Sequence, residues 1–391
     1  MPGRKRVNLK DVAGKAGVSV NTASDILNGG DCRYRPATRR RVAEIARRLG
    51  YRPHRQAQAI RTGRSGLLGL LVRTGLLQAA IERSHYAAEA ARRHGYQMLV
   101  HDMILLEDDF HAGCQRMLDA HVEGLIVGAW ASDFGREEST LLRAAGIPLV
   151  MLGSPYHPDV PLVCCDMRQG MSDVAEHLLK LGHRQLILTM LADYSFGLRK
   201  WRAQQRCQGF VDAIRGAGGR VFETQGLPGA RRRPGRPAAA GITGEIFRQP
   251  TPPVLFDPYQ PGRLAMRALL ARPHPPRAVM CANDDWALGA MGVCAAAGVR
   301  VPEDIAITGF DNASFGAALH PPLTTVAQPS EGLARAAVDL LVRQIRGESL
   351  PAEESKVKLS CRLVVRRSCG AAGGLPPDAA PDGSVMPPYT I

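Results

Sequence analysis

Leu9-Lys10-Asp11-Val12-Ala13-Gly14-Lys15-Ala16-Gly17-Val18-Ser19-Val20-Asn21-Thr22-Ala23-Ser24-Asp25-Ile26-Leu27-Asn28 reads as two short helices around a tight turn. Val12, Ala13 and Ala16 fall at i, i+1 and i+4, so they share one apolar face. Gly17 ends the first helix, because glycine takes the left-handed conformation that closes a helix. Val18 fills the space between the helices, and Ser19 is placed to cap the second. Ala23, Ile26 and Leu27 give that second helix an inward face. Asn21, Thr22, Ser24 and Asp25 are left pointing outward. A short helix that exposes small and amide side chains is one that a DNA major groove accepts.

The charge supports this reading. Of the 391 residues, the first 64 hold sixteen Lys or Arg against four Asp or Glu, a net of +12. The other 327 residues carry only +2 of the total +14. A basic head on a near-neutral remainder is the electrostatic footprint of a polyanion-binding module. A hydrophobic content of 45% is enough for a sizeable core, and the length suits two or three domains. Nine cysteines lie scattered without a Cys-x-x-Cys pair, and the adjacent Cys164 and Cys165 suit a buried strand. Free thiols in a reducing cytoplasm are expected, with no metal site. Arg4, Lys5 and Arg6 are not followed by the apolar run of about 7–15 residues that a signal peptide needs. No apolar run reaches the roughly 18 residues that span a bilayer. The expectation is a cytoplasmic, nucleoid-associated protein.

Outward from the opening stretch, Pro36 to Leu49 is a third helix with Val42, Ile45, Ala46 and Leu49 on its inner stripe. Gly50 stops it. Residues 55–63 form a short helix with almost nothing to bury, stable only when docked on DNA or on a twin copy. From Leu67 the texture changes. Apolar runs at 67–72, 97–100, 124–128 and 148–152 alternate with helical patterns at 79–94, 110–121 and 137–145. The alternation resumes at 174–181, 185–191, 206–217, 220–225, 262–271, 278–282, 286–297 and 305–310. Continuous apolar strands between helices predict parallel sheets covered on both faces, and their number predicts two doubly wound lobes. Such sheets bind ligands at the carboxyl ends of their strands. Residues 227–253, rich in Pro, Gly and Arg, read as a long surface loop.

Residues 9–28, Tyr51-Arg52-Pro53 and 57–63 resemble the head and hinge of the lac-repressor and galactose-repressor family of bacterial transcription regulators. The resemblance continues through Leu178-Leu179-Lys180-Leu181-Gly182-His183-Arg184, Ala282-Asn283-Asp284 and 301–311. It takes in Pro321-Pro322-Leu323-Thr324-Thr325-Val326 and Gln328-Pro329, and covers about residues 7–368. It implies an α/β chain with a three-helix helix-turn-helix head and hinge helix at 7–63. A periplasmic-binding-protein-like body would follow at 66–368, its lobes divided near 166 and 328, and then a disordered tail at 369–391. The implied function is transcription regulation, as a repressor. A homodimer, or a dimer of dimers, would read a pseudo-palindromic double-stranded operator under control of a small effector in the cleft between the lobes.

The resemblance also implies site residues. Val20, Asn21 and Asp25 fall at base-reading positions, and an amide such as Asn21 suits adenine N7 and N6. Leu9, Thr22, Ser24, Asn28 and Thr38 would hold phosphates, and Tyr51 and His54 would lie along the backbone. Ile60, with Ala57 beside it, is at the position of the apolar wedge that opens a base step from the minor groove. Asp25 departs from a usual arginine. Two readings stay open for it: acceptance from cytosine N4, or a turn away to cap or pair with a neighbouring arginine. In the cleft, Asp311 and Asn283 match positions that hold sugar hydroxyls, and Asp166 is kept. Counting back from Gly209-Phe210 puts Gln204 at the effector-arginine position, with Arg202 and Arg206 flanking it. Phe256, or equally Asp257, is a candidate for the aromatic wall. Arg73 stands in a loop that usually brings Asp, Asn and aromatics. Its charge predicts a sugar acid or sugar phosphate rather than a plain hexose.

Two other classes compete. A solute-binding protein with an accidental basic head would need export, and no leader is legible. An enzyme would need a phosphate loop, a nucleophile elbow or a metal cluster. The sequence has no G-x-G-x-x-G after a strand, no G-x-S-x-G and no H-E-x-x-H. No catalytic residue and no cofactor is expected.

Overall fold

The computed structural model describes residues 7–27, 33–51, 64–72, 78–103, 110–128, 135–155, 159–191, 197–225, 241–249 and 257–371. The chain divides into two units, residues 1–66 and 67–391.

In the first unit, α1 (Leu9–Ala16) is followed by α2 (Val20–Leu27) and α3 (Pro36–Leu49). Asn8 and Asp11 close a reciprocal capping box: the Asp11 amide donates to Asn8 Oδ1 (3.0 Å) and the Asn8 amide to Asp11 Oδ2 (2.8 Å). Gly17 ends α1 at φ +61°, a conformation open to glycine, which reverses the chain into α2. Val12, Ala13, Ala16, Ala23, Ile26, Val42 and Ala46 form the core, with Tyr34 and Tyr51 packed at its edge. Asn28, His54, Ala57, Ile60 and the expected hinge helix lie outside the described residues.

The second unit holds two parallel sheets. The first has the order β2 (Gln97–Asp102), β1 (Leu67–Val72), β3 (Leu125–Gly128), β4 (Leu149–Leu152), β5 (Leu162–Cys165) and β12 (Lys356–Leu359). The second has the order β7 (Arg220–Gln225), β8 (Thr243–Gln249), β6 (Gln185–Leu191), β9 (Ala278–Cys281) and β10 (Ala306–Thr308). The helices are α4 (Gln78–Arg93), α5 (Phe110–Asp119), α6 (Arg136–Ala144), α7 (Met167–Lys180), α8 (Gly197–Gly216), α9 (Gln260–Leu270), α10 (Asp284–Ala296), α11 (Phe315–Ala318) and α12 (Ser330–Ile345). The chain passes between the sheets three times: from β5 into α7, from β11 (Thr325–Ala327) into α12, and from β12 into β13 (Arg362–Val364). β11 and β13 pair antiparallel, Val326 opposite Leu363, and bind two of these crossings to each other. One buried cluster, including Leu70, Val174, Phe210, Met280, Phe310 and Leu341, is continuous across both sheets.

Two expectations need correction. The stretch 227–253 is not all loop: β8 runs through it, pairing with β6 on one side and β7 on the other. Its sequence, Thr-Gly-Glu-Ile-Phe-Arg-Gln, looks polar because Glu245 is buried in it. The Glu245 carboxylate is neutralised by Arg272 through two hydrogen bonds, at 2.9 and 2.7 Å. The tail also does not start at 369. Cys369 is fully buried in a short 3-10 turn (Arg367–Cys369), with its Sγ 3.1 Å from the Thr324 hydroxyl and 3.4 Å from His177 Nε2.

Candidate functional sites

The first site is the outer face of α2. Ser19 Oγ accepts the Thr22 amide (3.0 Å) and sits 2.9 Å from the Thr22 hydroxyl, so the helix start is pinned by its cap. Val20 and Asn21 are exposed beside that cap, and Val20, at 39% exposure, is an apolar side chain with no core to join. Thr22, Ser24 and Asp25 are half-buried. Asp25 takes a third course from those its sequence suggests: Tyr34 donates its hydroxyl to Asp25 Oδ2 at 3.0 Å. The partner shown is a tyrosine from the segment entering α3. Leu9 starts α1, half-buried, and Thr38 lies in the first turn of α3. The Tyr51 amide donates to Ala46 O (2.9 Å), and burial pushes its phenol up from the ordinary value.

The second site lies where the two sheets of the body meet. Asp311 follows β10 at φ +124°, held by its amide on Val326 O (2.8 Å). The Asp284 amide bonds Phe310 O (3.0 Å), so Asn283 and Asp311 are at the carboxyl ends of neighbouring strands. Asn283 caps α10, its Oδ1 accepting the Trp286 amide at 2.9 Å. Asp284 is buried, accepting from Thr325 Oγ1 (2.5 Å) and the Ala313 amide (2.6 Å). Burial first, and the charge of Asp311 second, push its carboxyl up to about 7; the same two causes put Asp285 at about 7.

Around Asp311 the structure gathers groups from both lobes. Arg206 of α8 donates to Asp311 Oδ1 at 3.4 Å and stacks on the Phe310 ring, its guanidinium carbon 4.4 Å from the centroid. Gln328, in the second crossing, donates its amide to the same oxygen. Arg83 of α4 donates to Gln328 Oε1 at 3.2 Å, and the Cys165 thiol donates to it at 3.3 Å. A hydrogen bond with Cys361 holds the Cys165 thiol below its ordinary value; burial opposes this, and Arg202, Arg83 and Arg206 act with it.

Other expected members stand apart. Gln204 is exposed on α8, and Arg206, two residues on, is the side chain that reaches Asp311. Asp166 caps α7 through the Gln169 amide (3.0 Å) and pairs with Lys358. Burial pushes the Asp166 carboxyl up, but the Lys358 ammonium and the Gln169 amide outweigh it and hold it below its ordinary value. Asp257 accepts from the Tyr259 and Gln260 amides and pairs with Arg263. Arg73 and Phe256 lie outside the described residues.

Arg83 and Gln328 were not expected members. A sequence signal for Arg83 exists: it falls in step with Ala79, Ala80, Ala87, Ala90 and Ala91 on the buried stripe of α4. Arg206 falls in step with Ala203, Phe210 and Ala213 in the same way. An arginine on the inner stripe of a helix needs a partner inside.

A capped helix-turn-helix unit and a doubly wound, two-lobed unit in one chain define a class of bacterial transcription regulators. The profile described as bacterial regulatory proteins of the lacI family matches residues 8–54. The periplasmic binding protein and lacI-family sugar-binding domain matches residues 82–253, and the periplasmic binding protein-like domain matches residues 175–369. The chain is 30% identical over 379 residues to the HTH-type transcriptional regulator CelR of Thermobifida fusca, covering 94% of this chain and all of that one. It is 27% identical to the HTH-type transcriptional repressor PurR of Mannheimia succiniciproducens, covering 92% of this chain and 98% of that one. The crystal structure of the lac repressor dimer bound to operator and an anti-inducer shares its fold, with a TM-score of 0.72 at 24% identity over 94% of this chain and all of that one. This chain belongs to the lacI family of bacterial regulatory proteins.

Proposed function

We propose that the protein is a repressor that binds a pseudo-palindromic DNA operator as a homodimer and is released from it, or fixed on it, by a small effector. The observation that carries this is the capped start of α2, with Asn21 and Val20 exposed, in a head of net charge +12. Asn21 and Val20 read bases, while Leu9, Thr22, Ser24, Asn28 and Thr38 hold phosphates. In the free protein Asp25 is occupied by Tyr34, so it supports the position of α3 and leaves its base pair weakly specified. Tyr51 and His54 follow the backbone, and Ile60 with Ala57 enters the minor groove from the hinge. Residues 7–63 are the DNA-binding head, and 66–368 with the following turn are the effector-binding and dimerising body.

The effector is a sugar, sugar acid or sugar phosphate held at Asp311 and Asn283, with Arg206 in the role that simple counting gives to Gln204. Asp166, Arg73 and Phe256 are further effector contacts on the family resemblance alone. The chain acts by binding rather than by catalysis, in the cytoplasm. No helix among the described residues is long and apolar enough to cross a membrane. A mobility-shift titration on operator duplex tests the reading: Asn21→Ala costs about 1–3 kcal/mol, about 5- to 150-fold in affinity, where an adenine is read. Unchanged affinity for every sequence would remove α2 from the interface.

A further inference from the structure

Three guanidinium groups converge at the meeting of the lobes, and their charge exceeds what surrounds them. Arg83 is 8% exposed and Arg206 is 9% exposed, an expense no chain accepts for a cation without compensation. Arg202, one turn before Arg206 on α8, lies within electrostatic reach of both, and of Asp311. Asp311 is the carboxylate that Arg206 engages, and it is shared with Gln328. The other titratable groups near the cluster do not supply the balance: Cys165, which faces Arg83 and Arg202, keeps its proton in the bond that it donates to Gln328 Oε1 at 3.3 Å. Glu82 bonds Gln78 (3.4 Å), and burial pushes its carboxyl up. Asp284 spends both oxygens on Thr325 and Ala313. The Nε–H groups of Arg202 and Arg206 are both buried and, among the described residues, have no acceptor. Burial first, then Arg206 and Arg83, lower the Arg202 guanidinium to about 10.

We infer that Arg83, Arg202 and Arg206 form an anion subsite of the effector cleft, taking a hydroxylated carboxylate or phosphate monoester. The inference rests on the effector reading given above and narrows it. Asp311 and Asn283 suit hydroxyls, so the polyol end lies there and the anion lies against the orphaned guanidinium edges. The subsite draws Arg83 from one lobe and Arg202 and Arg206 from the other, with Gln328 in a crossing between them. An anion there holds the two lobes together, and its departure leaves like charges facing one another. This makes occupancy a direct control on lobe closure.

The test is thermal denaturation of the full chain with inorganic phosphate, D-gluconate, D-glucose 6-phosphate and D-glucose, for wild type and for Arg202→Met. Phosphate and the two acidic sugars raise the wild-type midpoint by about 2 °C at ten times half-saturation. They leave Arg202→Met unmoved, and that variant melts above wild type in their absence because it relieves the repulsion. Anions that bind only the basic head would shift wild type and variant alike, which overturns the inference. Stabilisation by D-glucose without stabilisation by any anion would also overturn it, while leaving the effector cleft in place. No shift with any of the four compounds, and no gain in Arg202→Met alone, would remove both.

Discussion

Replacing Gly209 by alanine tests how Arg206 is held against Asp311. Gly209 is on α8, one turn beyond Arg206, where α8 crosses α7. A Cβ at this position would lie 2.0 Å from the Arg168 carbonyl oxygen and 2.9 Å from its carbon, against an ordinary contact of 3.4–4 Å. The obstacle is backbone, so no side chain can rotate away, and α8 must retreat by about 1 Å or more. Overpacking of this kind costs about 1–3 kcal/mol, and a rigid carbonyl places it at the upper end. Alanine returns up to about 1 kcal/mol as a better helix former, which leaves about 2 kcal/mol of net destabilisation. In a unit of this size that lowers the melting midpoint by about 3 °C. The same retreat carries Arg206 away from Asp311, where the separation is already 3.4 Å, so effector affinity falls as well. The control is Gly292→Ala, in the interior of α10, where nothing lies within 4 Å of the added methyl. There only the helix preference remains, and the midpoint rises by about 1–2 °C. The assay is circular dichroism of the full chain during heating. A Gly209→Ala midpoint at or above wild type would refute the close approach of α7 and α8.

Three further outcomes are expected. Ser19→Ala removes the cap of α2 and costs the head about 0.5–2 kcal/mol, read as a lower urea midpoint for the head and weaker binding of any duplex. Tyr34→Phe frees the Asp25 carboxylate beside the DNA-facing helix; operator affinity falls by a few-fold at low salt and recovers in Tyr34→Phe/Asp25→Asn, checked by fluorescence anisotropy. The third concerns pH. Asp285 has a folded-state value of about 7 against an ordinary 3.8, so the folded chain binds more protons between these values and its stability falls as pH rises from about 4 to about 7. Asp285→Asn therefore stabilises the body above pH 7, by up to a few kcal/mol, and has little effect near pH 4. Equal shifts at both pH values would contradict this.

The head was legible because its signals are local. Gly17, Ser19 and the spacing of Val12, Ala13 and Ala16 each act within one turn of helix, and all three do in the structure what they promise in the sequence. The parallel strands β1, β6 and β7 were legible for a similar reason, the first two as unbroken apolar runs between polar boundaries. β8 was hidden because its buried Glu245 is answered by Arg272, 27 residues away, and no window of sequence pairs them. The first turns of α7 and α8 were missed for a different reason. Asp166 starts α7 with a cap, and the opening of α8 is rich in Arg, Lys and Gln, so neither shows an apolar stripe. In the cleft, Asp311 and Asn283 could be placed by motif. Arg83, Arg206 and Gln328 meet only because three crossings bring distant segments together; counting along α8 favoured Gln204, which is exposed, whereas Arg206 reaches Asp311.

The central claim is that the head reads DNA by sequence as a pair. The measurement that tests it most directly is selection of bound duplexes from a random pool by the purified full chain, at two salt concentrations, with and without D-gluconate. The account predicts an enriched inverted repeat with an adenine at the Asn21 position in each half, a flexible central step, and little preference opposite Asp25. Enrichment of no motif under any condition, with binding that only fades as salt rises, would contradict it.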